Sequence, residues 1–184
     1  MTRSAAIHDK VAAAILDAAA ELLAAGGEPA SMSEIAEAAG VARGTLYRYF
    51  PSREQLLLAL GEAALDAIST RLDQAELDNV PVPEGIARVA RAFAAVGSKY
   101  AFLVSQPQHV RPGALEERIG DPVRSLLKRG LDDGTFRNDF SAEELGYALG
   151  GLLHSAAQLA ARDRSGTERA AAFASAIFLN GTCR

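Results

Sequence analysis

Two arginines, two tyrosines and a threonine fall within seven positions of the stretch GVARGTLYRYF, residues 40–50, and no acid interrupts them. These side chains offer donors and flat rings rather than nucleophiles or metal ligands. A guanidinium is a planar fork of donors that matches the acceptor edge of guanine or a phosphate, so Arg43 and Arg48 suit base recognition. Thr45 offers a hydroxyl to a phosphate or a methyl to a thymine, and Gly44 lets a helix beginning there approach another body closely. Tyr47, Tyr49 and Arg53 are suited to phosphate oxygens, as is the N-terminus of the helix that follows. At 100° per residue Leu46 and Phe50 point together, joined by Val41 from the turn before them. Gly44, Thr45, Tyr47 and Arg48 lie opposite, with Tyr49 at the margin. A purely solvated face would account for the arginines but leaves two outward tyrosines unexplained. Insertion into a major groove accounts for all of them.

The formal net charge of the chain is −4, yet Val41 to Arg53 holds three arginines and no acid. A chain with that balance does not coat polyanions, and any contact with nucleic acid must come from such a local patch. Other chemistry lacks its residues. There is no glycine-rich phosphate loop, no histidine pair at metal spacing and no Gly-x-Ser-x-Gly, and His8, His109 and His154 are scattered. The single cysteine, Cys183, excludes a disulfide scaffold or a thiolate metal site within one chain. No enzyme activity, cofactor or metal is expected. Asp17 and Glu21 interrupt the Ala-rich first run, and residues 170–179 are too few to cross a bilayer, so a soluble, cytoplasmic protein is expected.

Helices must position the basic stretch, because the chain is 49% hydrophobic but only 6% aromatic, without tryptophan, and its apolar runs are Ala and Leu. Asp9 is placed to cap a first helix from Lys10 to about Ala25, with Val11, Ile15, Ala18, Ala19 and Leu22 on one face and Gly26-Gly27 as its stop. Ser31-x-x-Glu34 reads as a capping box for a short second helix with Ile35, Ala36 and Ala39 inward. Gly40 makes the turn, and Pro51 ends the third helix. Ser52 to Gln55 is a second box, opening a long helix towards Leu72. Pro81 and Pro83 precede a helix from about Glu84 to Val104, and residues 105–113 read as a loop. Further starts stand at Asp121-Pro122, Ser141-x-x-Glu144 and Ser165-x-x-Glu168, with ends near Gly134, Arg162 and Gly181. The expected fold is all-α with about nine helices. Its N-terminal three-helix unit, residues 1–52, is expected to be a helix-turn-helix suited to DNA, and residues 53–184 a larger helical domain.

The run Ser31-x-x-Glu-Ile-Ala followed by Ala39-Gly-Val-Ala-Arg-Gly-Thr-Leu-Tyr-Arg-Tyr-Phe-Pro-Ser-Arg-Glu-Gln-Leu-Leu resembles the DNA-binding region of the tetracycline-repressor (TetR) family. The resemblance covers about Val11 to Leu58. Beyond it the chain matches in length, helical content and a proline-broken middle, and in the segment Asp133-Gly-Thr-Phe-Arg-Asn-Asp-Phe. It implies a homodimeric, ligand-responsive transcription regulator, usually a repressor, on a palindromic double-stranded operator, with residues 1–52 as its DNA-binding domain and residues 53–184 as its effector-binding and dimerisation domain. Arg43, Gly44, Thr45, Tyr47 and Arg48 would face the groove, and Tyr49 and Arg53 the phosphates. Ser33 stands where the family often has a basic residue and offers a weaker contact from the second helix.

In the C-terminal portion Tyr147, Gly151, His154 and Gln158 recur at i, i+4, i+7 and i+11. They are either an effector-pocket wall or a polar seam in a subunit interface or core, and the second is preferred. Phe93, Tyr100 and His109 are candidates to line a cavity for a small hydrophobic effector, and as ordinary core they need no ligand. The last helix is apolar almost all round and must be covered on two sides, which places Gly150, Phe173 and Ile177 at a dimer interface. The competing class is a helical small-molecule-binding or interaction protein that keeps the fold without specific DNA binding.

Overall fold

The computed structural model describes residues 3–24, 30–97, 99, 107–162 and 166–183. Among them the chain is all-α, as the Ala and Leu runs require. Eight α-helices follow one another: α1 (Arg3–Ala24), α2 (Met32–Ala38), α3 (Arg43–Tyr49), α4 (Arg53–Gln74), α5 (Val82–Val96), α6 (Asp121–Asp132), α7 (Ala142–Arg162) and α8 (Thr167–Thr182). Short 3-10 turns stand at Leu77–Asn79 and Pro107–His109. A π-helical turn, Glu116–Gly120, runs straight into α6.

Local chemistry explains most of the boundaries. At α2 the Ser31 hydroxyl accepts from the Glu34 N–H at 3.2 Å, and the Ser31 N–H donates to the Glu34 carboxylate at 2.7 Å. Ser141 and Glu144 repeat both bonds at the start of α7. At α4 the Ser52 hydroxyl accepts from the Gln55 N–H at 3.2 Å and serves as the N-cap. Gly40 takes the left-handed conformation, φ 66°, that the tight turn between α2 and α3 demands.

Three boundaries differ from the sequence expectation. Helix α1 already includes Asp9, which is therefore no cap. Helix α5 stops at Val96 because Gly97 turns to φ 51°, instead of running to Val104. Helix α6 has no capping start: Gly120 is itself helical, and the Asp121 carboxylate accepts from the Arg124 guanidinium at 2.6 Å. Pro122 has no N–H for a regular ladder, and the wider π turn stands just before it. Helix α8 begins at Thr167, directly after Gly166. The expected stop at Gly26-Gly27 and cap at Ser165 lie outside the described residues.

The buried apolar side chains form two clusters. One joins Ile15, Ala19, Met32, Ile35, Leu46, Phe50, Leu56 and Leu60, and it holds α1, α2 and α3 on the first two turns of α4. The other begins at Ala64 and runs through α5, α6, α7 and α8, with Phe93, Phe136 and Phe178 among its largest members. The rings of Phe136 and Phe178 meet edge-to-face at 5.7 Å. Helix α4 is thus shared, its start in the small cluster and its remainder in the large one.

Candidate nucleic-acid interface

The α2–turn–α3 unit is fastened from below and open above. Leu46 and Phe50 are buried, and half-buried Val41 packs on the same cluster. The Val41 N–H donates to the Ala36 carbonyl at 3.0 Å, which fixes α3 relative to α2. On the opposite side Arg43, Gly44, Tyr47 and Arg48 are exposed, and Thr45 is half-buried. Tyr49 is half-buried too and packs partly on the cluster, in keeping with its marginal position. Ser33 is exposed on α2.

Each guanidinium on this face lies against a ring. Arg43 Cζ is 5.5 Å from the centre of the Tyr47 ring, one helical turn on, and Arg48 Cζ is 5.6 Å from that of Tyr49. Such a contact contributes about 0.5–1 kcal/mol at an exposed site and limits the freedom of the arginine. Glu34 does not oppose the positive face. Its carboxylate is turned to the Ser31 backbone N–H and hydroxyl, which hold its pKa below the ordinary 4.5.

Gly44 has no internal reason to be glycine. Its φ is not positive, and apart from its own helix backbone no described atom lies within 4 Å of where a Cβ would stand. Gly61 on α4 differs: a Cβ there would fall 2.3 Å from the His109 carbonyl oxygen, so α4 and the 107–109 turn touch through the missing side chain. Arg53 is half-buried, and its Nη1 donates to the Ala30 carbonyl within the head.

The other sequence candidates do not gather at one place. Phe93 is buried in the large core, and His109 is half-buried beside Gly61. Tyr100 lies outside the described residues. Tyr147 is 77% exposed, Gln158 is exposed, and the Gln158 side-chain nitrogen stands 2.8 Å from His154 Nε2. Tyr147 and Gln158 therefore face outward, while His154 is half-buried. Beside them, Leu159, Phe173 (45%) and Ile177 (51%) expose apolar surface, and no described atom of another element stands within 4 Å of a Cβ built at Gly150 or Gly151.

An open cleft of about 740 Å³ lies between the head and the body, lined by Asp17, Glu21, Ala39, Arg71, Val96 and Lys99 among others, and none of the described effector candidates lines it. Lys99 Nζ reaches Asp17 Oδ1 across it at 2.7 Å. Arg118, in the π turn, donates to Asp66 Oδ1 at 2.5 Å and to Ser69 Oγ at 2.9 Å, both on α4. These pairs join positions far apart in sequence, and no local spacing announces them. Among the described residues no group of three or more His, Cys, Asp or Glu is placed to hold a metal, and no helix is long and apolar enough to cross a membrane.

A surface of arginines and tyrosines on the second helix of a helix-turn-helix, carried by a larger helical body, defines a class of DNA-binding regulator. The family profile described as bacterial regulatory proteins, tetR family, matches residues 15–60. Those limits coincide with the first and last members of the small core, Ile15 and Leu60. The HTH-type transcriptional regulator YfiR of Bacillus subtilis is 31% identical over 143 residues, 70% of this chain and 69% of that one. The HTH-type transcriptional repressor LfrR of Mycolicibacterium smegmatis is 34% identical over 100 residues, 54% of this chain and about half, 52%, of the relative. The crystal structure of LfrR from Mycobacterium smegmatis in complex with proflavine superposes with a TM-score of 0.70 at 26% identity, covering 93% of this chain and 96% of the other. The chain belongs to the TetR family of bacterial transcriptional regulators.

Proposed function

We propose that this chain is a homodimeric repressor that reads a palindromic operator through α3 and is released by a small apolar ligand bound in its body. The observation that carries the DNA reading is Gly44. A glycine inside a helix costs about 0.5–1 kcal/mol relative to alanine, and nothing within the described chain requires it. Close approach of an outside body supplies the reason. The exposed donors around it, Arg43, Tyr47 and Arg48, with Thr45 and Tyr49 at the margins, are those a base edge and its flanking phosphates accept. Ser33 adds a hydroxyl from α2. Residues 1–52 form the reading head, completed by the first two turns of α4, and residues 53–184 the effector-binding and dimerisation domain.

A twofold dimer requires two inverted half-sites, one per α3. We place the subunit contact on the outward face of α7 and α8, around Gly150, Phe173 and Ile177, where Tyr147, His154 and Gln158 also lie. Phe93, Tyr100 and His109 remain the candidates for the effector cavity. LfrR has been crystallised with proflavine, and a flat aromatic ligand suits a body core built from Leu, Ile, Val, Ala and Phe. The experiment is fluorescence anisotropy on duplexes selected from a random pool by the wild-type protein. Tyr47→Ala and Arg48→Ala should each cost about 1–3 kcal/mol and relax preference at particular base pairs. Full affinity and unchanged preference in the double variant would refute the groove assignment. Release of the duplex by proflavine tests the effector class, and no release by any aromatic or acyl ligand in a broad set would remove it.

A further inference from the structure

Arg53 is the first residue of α4, and Ala30 is the buried residue immediately before the N-cap of α2. The guanidinium Nη1 of Arg53 donates to the Ala30 carbonyl, joining positions 23 apart in sequence. Between them lie the whole of α2, the Gly40 turn and α3. The bond therefore closes the reading unit on itself. The segment entering α2 is pinned to the start of α4, while Leu56 and Leu60 on α4 hold the apolar underside of α3. The Ser31 cap follows Ala30 directly, so the same pin sets where α2 begins.

We propose that Arg53 is a positioning residue of the reading head, which orients α2 and α3 through the Ala30 carbonyl and is not one of the groups that neutralise DNA phosphate. The inference rests on the DNA-reading function above, but its geometry belongs to the free protein. A phosphate ligand and a positioning residue differ in their dependence on salt. Removing a phosphate-neutralising cation lowers the slope of log K against log salt by about one and weakens all sequences alike. Removing a positioning residue leaves that slope in place and lowers affinity for the selected duplex more than for random DNA.

The test compares wild type, Arg53→Gln and Arg53→Lys on a duplex selected from a random pool by the wild type and on a scrambled duplex. Amide hydrogen exchange of Met32 to Ala38 is followed in the DNA-free proteins. For Arg53→Gln the expected result is about a tenfold loss on the selected duplex, a smaller loss on the scrambled one, an unchanged salt slope and faster exchange in α2. Arg53→Lys, which keeps a donor able to reach the carbonyl, restores the α2 protection and most of the preference. A slope lower by about one, with α2 exchange as in wild type, overturns the proposal. If Arg53→Gln does not fold, the guanidinium signals of DNA-free wild type decide by nuclear magnetic resonance. Restricted rotation about the Cζ–Nη1 bond supports the pin, and free rotation overturns it. Should the wild type select no duplex at all, the DNA reading fails, while the exchange and resonance measurements still judge the Arg53–Ala30 bond.

Discussion

Gly44 and Tyr47 show how one position separates folding from recognition. Replacing Gly44 by Ala adds a methyl where the described chain leaves open space, so the folded protein should melt at the same temperature or slightly higher. Its affinity for a selected duplex should fall at least tenfold if the helix backbone lies against the DNA, which thermal melting and anisotropy on one sample would show together. Tyr47→Phe keeps the ring beneath Arg43 and should retain more affinity than Tyr47→Leu, the difference being about the 0.5–1 kcal/mol of an exposed cation–π contact. A double-mutant cycle with Arg43→Ala measures that coupling. The outward and inward faces of α3 were legible in the sequence because a helix of fixed period leaves little freedom in which way Leu46 and Phe50 point. The bond that engages Arg53 was not, since the Ala30 carbonyl lies far away in sequence and its position depends on how α2 and α4 pack.

At the scale of the element, serine caps were the reliable signal. Ser31-x-x-Glu34 and Ser141-x-x-Glu144 each satisfy first-turn N–H groups from within four residues, and neither needs the rest of the fold. Ser31→Ala should destabilise the head by about 1 kcal/mol in a urea melt. The carboxyls of Glu34 and Glu144 are held below the ordinary 4.5, first by a hydrogen bond from the serine backbone N–H. A pKa lower in the folded than in the unfolded chain gives stability that is full above the unfolded value and is lost as pH falls through the folded one. Urea melts at pH 7 and about pH 3.5 should therefore show less acid destabilisation in the Glu34→Gln, Glu144→Gln double variant than in wild type. Where the sequence reading went astray, a cap-like or helix-forming residue met a competing local geometry. Asp9 had a helix already running through it, Asp121 followed a π turn and paired with Arg124, and the apolar run after Val96 met the turn at Gly97. Periodicity cannot weigh those alternatives.

For the whole molecule, two apolar clusters share α4, and the outward face of α7 and α8 exposes Leu159, Phe173 and Ile177 beside Tyr147 and Gln158. In the proposed dimer Phe173 and Ile177 are buried against a second copy, which would remove a surface that soluble monomers seldom show. Phe173→Glu or Ile177→Glu should yield monomers or aggregates in sedimentation, with operator affinity lost although the head is unaltered. A wild type that sediments as a monomer at micromolar concentration would remove the dimer. The Tyr147, His154 and Gln158 stripe could be placed on one helix face from spacing alone. Which way that face turned depended on the packing of α5 and α8 against α7, which no single helix records. The most direct measurement of all is sequencing of duplexes that the wild-type protein enriches from a fully random pool. Two inverted half-sites at fixed spacing should emerge, and their enrichment should vanish when Gly44→Ala or the Tyr47→Ala, Arg48→Ala double variant is used instead. No enrichment over the starting pool, or a motif that these variants select equally well, would contradict recognition by the exposed face of α3.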